Sequence, residues 1–411
     1  MIKKNKYVEL VSPAGDWSSL KSAVSAGADS VYFGVKGLSM RNLATNFDTL
    51  EIKKAMEFLR KNKKRGYLAL NVIIYDNEIS KVKKILNEAK KSGVDAVILW
   101  DMAVLALAKQ AGLKVHLSTQ ASVSNFLALK EYCSQGARRV VLARENTLAD
   151  IKKIAAKIKK EKTPCQIEAF IHGAMCLSIS GRCFLSEYSF SKSANRGECI
   201  QPCRREYIIY DTQGDCQYIA GKDRLLSPKD LCTIDFIDEL IEAGIDAFKI
   251  EGRIRSPEYV GVVTSVYRKA INAYYKGKLT KPLKLRLKKE LKKVYNRGFS
   301  SGFYFGQPTK EDVSRDLGNT YEKVYVGEIT RFFKRIGVAE LKVRNEPLKK
   351  GDEIVCIGKN TPASFAVVTD IQIEHKPVQS LERGQAAGIK VPFVLKRKDK
   401  VFLWKKKAFF P

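Results

Sequence analysis

Ala26-Gly-Ala-Asp-Ser-Val-Tyr-Phe-Gly34 is the stretch that decides the fold of this 411-residue chain, because it returns three times. The later copies are Ser92-Gly-Val-Asp-Ala-Val-Ile-Leu-Trp100, Gln135-Gly-Ala-Arg-Arg-Val-Val-Leu-Ala143 and Ala243-Gly-Ile-Asp-Ala-Phe-Lys-Ile-Glu251. Each reads as a helix closed by glycine at its C-cap and followed by a buried parallel strand. Val8–Val11, Tyr67–Ile74, Lys114–Ser118 and Gln166–Phe170 supply four further short apolar runs. Amphipathic stretches such as Asp16–Ala26 and Glu78–Lys91 lie between them. Eight strands alternating with helices predict an α/β fold, a (β/α)8 TIM-like barrel, with a doubly wound open sheet as the alternative. No G-x-G-x-x-G sits between a strand and a helix, so dinucleotide binding is unsupported.

In a barrel, Gln166–Phe170 is strand seven and Ala247–Glu251 is strand eight. The stretch 173–222 is too long for an ordinary βα loop, so it is expected to form a cysteine-rich insertion over the C-terminal face, where such barrels build active sites. The expected organisation is a barrel domain over 1–306, a polar linker over 307–323, and a small C-terminal β-barrel domain over 324–411. Short β-like runs with turn punctuation carry the last assignment.

The insertion holds Cys176, Cys183, Cys199 and Cys203 in the spacing C-x6-C-x15-C-x3-C. Four thiolates can close the coordination of a zinc ion or of an iron–sulfur cluster. Zinc ribbons usually present two tight C-x2-C knuckles, whereas wide and unequal spacing suits a larger group such as a 4Fe–4S cluster. Unrelated buried or redox thiols are the third reading. The full count of nine cysteines is odd and clustered, unlike a disulfide framework, which points to a reducing cytoplasm.

No apolar run reaches the length of a membrane span. The formal net charge is +30, and Lys276–Arg297 alone holds ten Lys or Arg against the single Glu290. Such clusters are either solvated helix faces or a surface that attracts phosphate backbones. Tyrosines and phenylalanines interleave with that cluster, at a spacing that core residues share.

Polar residues fall at the predicted strand ends, among them Asn71, Gln120, Arg144, Glu168, His172, Lys249, Glu251 and Arg253. A polar group inside a barrel is costly unless paired or wet. Arg144 and Arg253 are candidate clamps for a carboxylate, with Asn71 and Gln120 beside them as substrate-binding amides. Glu168, Glu251 and His172 are candidate proton carriers. The competing assignment pairs these glutamates with the arginines as a structural ion network and packs His172 as an ordinary core histidine. No HExxH helix, no G-x-S-x-G elbow and no Cys–His–Asn pattern is present, so protease chemistry has no visible engine.

The central stretch Glu168-x-Phe170-x-x-Gly173-Ala174-Met175-Cys176, then Gly181-x-Cys183-x-x-Ser186, resembles the signature of the collagenase-like peptidase family U32. Glu9–Asp16, Ser39–Phe47, Lys249–Arg253, Asn296–Phe299 and Gly351–Glu353 extend the resemblance along nearly the whole chain. The resemblance implies an iron–sulfur protein of the prephenate-dependent tRNA uridine hydroxylase branch. It also implies a C-terminal β-barrel suited to RNA contact. The expected activity is 5-hydroxylation of the tRNA wobble uridine, with prephenate as the carboxylated hydroxyl donor and tRNA as partner. Hydroxylation of a cytidine in 23S rRNA and a collagenase-like peptidase are the alternatives.

Overall fold

A computed structural model describes residues 7–205, 208–210, 217–219, 226–314 and 318–407, so part of the expected insertion 173–222 lies outside the described residues. Eight parallel strands close into a barrel: β1 (Glu9–Ala14), β2 (Ser30–Gly34), β3 (Arg65–Ala69), β4 (Ala96–Leu99), β5 (Val115–Leu117), β6 (Ala137–Val141), β7 (Gln166–Gly173) and β8 (Ala247–Ile250). Closure comes from β8, which pairs with β1 (Glu9↔Ala247) and with β7 (Ala247↔Glu168). The open-sheet alternative is thereby excluded.

The recurring phrase has a physical explanation. Gly27, Gly93, Gly136 and Gly244 all take positive φ, the left-handed conformation that ends a helix. Two residues on, the Asp of three copies accepts the N–H of the second residue of a neighbouring strand. Asp29 takes Leu10 N at 2.8 Å, Asp95 takes Gly66 N at 2.8 Å and Asp246 takes Ile167 N at 2.9 Å. The phrase therefore stops a helix, starts one strand and satisfies another strand's orphan donor. The strands are apolar on both faces because helices cover the outside while Val11, Tyr32, Tyr67, Ala69, Ala96, Ile98 and Ala247 cluster within.

Helices return between strands: α1 (Trp17–Ser25), α2 (Glu51–Lys61), α3 (Ile79–Lys91), α4 (Met102–Gln110), α5 (Phe126–Ser134), α6 (Leu148–Lys160), then α7 (Leu185–Phe190) in the insertion, α8 (Ile237–Glu242), α9 (Pro257–Tyr275) and α10 (Lys281–Lys293). Side-chain caps begin several of them. Asp16 accepts from Ser19 N at 2.7 Å, and Thr147 with Asp150 forms a reciprocal capping box on α6.

The expected linker is held in place by backbone pairing. Lys229 N donates to Asp312 O at 2.7 Å and Ser314 N to Ser227 O at 2.7 Å. The first C-terminal strand already opens at Tyr321. From there an eight-stranded antiparallel sheet surrounds its own core of Val326, Ile329, Leu341, Ile354, Ile389 and Leu403, among others. It packs on α1, where Ser18 Oγ donates to Gly358 O at 2.7 Å and Ala363 N to Ser22 Oγ at 3.0 Å.

Candidate active site at the mouth of the barrel

Gly173 ends β7 at φ +110°, where a Cβ would meet the Glu251 carbonyl oxygen at 2.5 Å. Only glycine both turns there and lets the chain pass so close to β8. The insertion that follows folds back over the barrel. Asn42 N donates to Gly197 O at 3.0 Å, and the Arg196 guanidinium pairs with Glu78. Beneath it lies a cavity of about 200 Å³.

All four insertion cysteines line this cavity, as do Arg41, Asn71, Gln120, Arg144, Lys249, Glu251 and Arg253. Burial raises the thiols of Cys199 and Cys203 above their ordinary range. Among the described residues no three His, Cys, Asp or Glu side chains converge closely enough to hold a metal ion.

The charges at the mouth are unequal. Glu251 accepts from Arg41 Nε at 3.1 Å, and Arg144 and Arg253 act on it from further off. Burial alone would raise its pKa, but the three guanidiniums more than offset that and hold it below the usual carboxylate range. Arg253 is 4% exposed, and burial pushes it down to about 10. One of its terminal nitrogens donates to Ser39 Oγ, yet its buried Nε has no partner. A Cβ at Gly34 would stand 2.8 Å from that guanidinium, so the glycine makes its berth. Arg144 stacks 4.1 Å above the Phe170 ring and donates to Ala174 O at 2.8 Å, which ties it to the root of the insertion. Asn71 and Gln120 form a closed amide pair: Asn71 Nδ2 donates to Gln120 Oε1 at 2.8 Å, and Gln120 Nε2 to Asn71 O at 2.9 Å.

Two expected proton carriers lie elsewhere. Glu168 is 1% exposed and absent from the cavity lining. It takes Lys249 Nζ at 2.7 Å and Arg139 at 3.1 Å, and Arg139 continues to Glu9 at 2.6 Å. This is an ion network inside the barrel, built with Arg139 and Lys249 rather than with Arg144 or Arg253. His172 points outward into a packed layer, with Nδ1 3.3 Å from Tyr267 Oη and rings of Tyr259 and Phe299 around it. Arg41, Arg204, Lys249 and Arg255 also line the cavity, and the sequence alone assigns them no role. Arg41 lies within Ser39–Phe47, one of the stretches that carry the family resemblance, so its signal is present in the sequence.

Desolvation pushes His172 down to about 3. An unfolded chain takes up that proton near pH 6.5, so stability is full above about 6.5 and falls as the pH drops towards about 3. The slope from this ring is up to roughly 1.4 kcal/mol per pH unit. Thermal melts of His172→Gln are expected to show a shallower acid decline than the parent, with the remainder owed partly to buried His116. An unchanged decline would assign the acid sensitivity to other groups.

The profile of peptidase family U32 matches residues 15–314. This chain belongs to peptidase family U32. It is 43% identical over 404 residues to an uncharacterized protease of Methanocaldococcus jannaschii, covering 97% of this chain and 98% of that protein. A protein named collagenase from Porphyromonas gingivalis is 39% identical over 407 residues, covering 97% of this chain and 98% of its own. A protein named tRNA hydroxylation protein P1 from Bacillus subtilis is 36% identical over 362 residues, covering 86% of this U32 chain and 84% of its own.

Proposed function

We propose that this U32 protein hydroxylates C5 of the tRNA wobble uridine, takes the hydroxyl from prephenate, passes the proton and the two electrons released from C5–H to a base and to an external electron acceptor, and holds an iron–sulfur cluster on Cys176, Cys183, Cys199 and Cys203. The observation that carries the reading is Arg253: a buried guanidinium with an unpartnered Nε in a cavity that four cysteines share. A buried cation without a carboxylate is costly, and a carboxylated donor would satisfy it. The relative named for tRNA hydroxylation supports the RNA substrate.

When bound, the cluster would supply Lewis acidity or an electron path. The chain's own groups do the rest. Arg253 binds and orients a donor carboxylate, with Lys249 and Arg144 adding positive potential. Glu251, kept ionised by Arg41, accepts a proton at its free oxygen. Asn71 and Gln120 hold a rigid amide edge against which a base or donor hydroxyl aligns. Hydrolysis of the Ser–His or Cys–His type needs an imidazole within reach of the nucleophile. Among the described residues no histidine lines the cavity, which favours the hydroxylase over a histidine-dependent peptidase.

The deciding experiment is nucleoside mass spectrometry of tRNA from a deletion strain, with 5-hydroxyuridine expected to vanish and to return on complementation. Undiminished 5-hydroxyuridine overturns the proposal, and loss of 5-hydroxycytidine from 23S rRNA instead would move the substrate. Binding should also be salt-dependent, because Lys and Arg displace counterions from phosphates. On α10, Lys284, Lys288 and Lys293 already pair with Asp238, Asp235 and Glu290, which leaves Arg286, Lys289 and Lys292 exposed. Charge reversal of those three is expected to lower the log–log salt slope of tRNA binding by about 1 for each phosphate no longer neutralised. An unaltered slope would place the RNA on another face.

A further inference from the structure

Between Cys183 and Cys199 the insertion exposes aromatic rings that a folded chain would ordinarily bury. Phe184 is 62% exposed and Tyr188 is 89% exposed, with ring centroids 6.2 Å apart and planes inclined at 67°. Phe190 is also exposed, and the Arg205 guanidinium lies 4.4 Å over its face. Their presentation is fixed from below. Ser186, 1% exposed, faces inward and accepts from Ile200 N at 3.2 Å, and Asn195 Nδ2 reaches the Cys183 carbonyl. The short helix α7 therefore turns its small polar residue to the protein and its rings to solvent.

The location matters more than the exposure. Phe184 sits between Cys183 and Leu185, and both of these line the catalytic cavity. Phe184 consequently stands beside the cavity's lining, with the Tyr188 ring edge-on to it. Exposed Arg182 and Lys192 flank them, along with Arg205. Flat apolar faces interleaved with cations match unpaired nucleotides, whose bases stack on aromatic rings while phosphates meet the cations. An enzyme that acts on a base must draw it out of its stack, and the neighbouring bases then need a new stacking partner.

We propose that Phe184 and Tyr188, with Arg205 on Phe190, form a stacking platform that receives the unpaired RNA nucleotides next to the one entering the cavity. This rests on the RNA hydroxylase reading and adds how the substrate is engaged. It selects unpaired over paired RNA, since a duplex keeps its faces occupied.

Fluorescence anisotropy tests it, using a short unpaired RNA oligonucleotide and a blunt-ended, fully complementary RNA duplex of equal length. Phe184→Ala and Tyr188→Ala are each expected to weaken binding of the unpaired RNA by about 5- to 100-fold. Duplex affinity should stay within about twofold, because phosphate contacts carry it, and Tyr188→Trp should bind as the parent does. Both truncations remove exposed rings, so melting temperatures matching the parent accompany the expected result. Equal affinity of parent and truncated proteins for unpaired RNA overturns the platform and leaves the RNA reading standing. A parent that binds neither RNA overturns both. Loss of gelatin-peptide binding in the same variants, with RNA binding intact, assigns the rings to a protein partner and overturns the proposal.

Discussion

Replacing any one of Cys176, Cys183, Cys199 or Cys203 by serine is expected to strip the anaerobically purified protein of iron and sulfide, from about four of each per chain to none. The four thiols reach one cavity from three directions: Cys176 from the root at β7, Cys183 from the approach to α7, and Cys199 with Cys203 from the returning arm. A cluster held this way ties the arms together, and a serine hydroxyl is too hard a donor to replace a thiolate on iron. Cys133, Cys165, Cys232 and Cys356 are buried in the cores, and their serine variants are expected to keep the iron. Cys216 lies outside the described residues, and the same is expected of it. Iron and sulfide are assayed per folded chain, so that unfolding is not mistaken for removal of a ligand. Stoichiometric zinc without iron would overturn the cluster, and full iron in one serine variant would remove that cysteine from the ligand set.

The barrel was legible because its signals are local. Gly27, Gly93, Gly136 and Gly244 each mark a helix end, and the apolar run after each can only be a strand covered on both faces. The length of the connection after β7 and the clustering of its cysteines stand in the sequence itself, and part of that connection lies outside the described residues. Partner choice inside the barrel was not legible. Glu168 and Glu251 read alike as predicted strand-end residues, yet Glu168 lies near the start of β7 and meets Arg139 from β6 and Lys249, while Glu251 follows the last residue of β8 and meets Arg41 from the loop after β2. Which arginine reaches which glutamate depends on strand register and loop paths that no spacing encodes. His172 shows the same limit. Its neighbour Ile171 O accepts from Tyr267 Oη at 3.0 Å, and α9, far downstream in the chain, decides that the ring faces outward.

Arg253→Ala is expected to abolish prephenate binding and 5-hydroxyuridine formation while leaving the fold as stable as the parent, or more so. A structural arginine predicts the reverse, because breaking a buried ion pair costs about 3–5 kcal/mol. Arg253 has no such pair to break. Its Nε is unpartnered, and Glu251 keeps Arg41 when Arg253 is gone. Removing a buried cation that has no carboxylate in direct contact relieves desolvation, which offsets the loss of the bond to Ser39, of the Tyr32 ring 5.6 Å away and of the longer-range attraction to Glu251. A carboxylate bound through charge-assisted hydrogen bonds draws about 1.5–3 kcal/mol from each, so removing two weakens the donor by roughly 100-fold or more. Arg253→Lys retains the charge without the planar fork and should recover only part of this. Arg144 forms the contrast. It was expected to be a second clamp, but its bond to Ala174 O lies two residues before Cys176. Arg144→Ala should therefore disturb iron content as well as activity, and Arg253→Ala activity alone. Calorimetric titration with prephenate, thermal melts and tRNA nucleoside analysis on both variants separate the cases. A destabilised Arg253→Ala that still binds prephenate would make Arg253 structural and move the donor's clamp to other cations of the cavity.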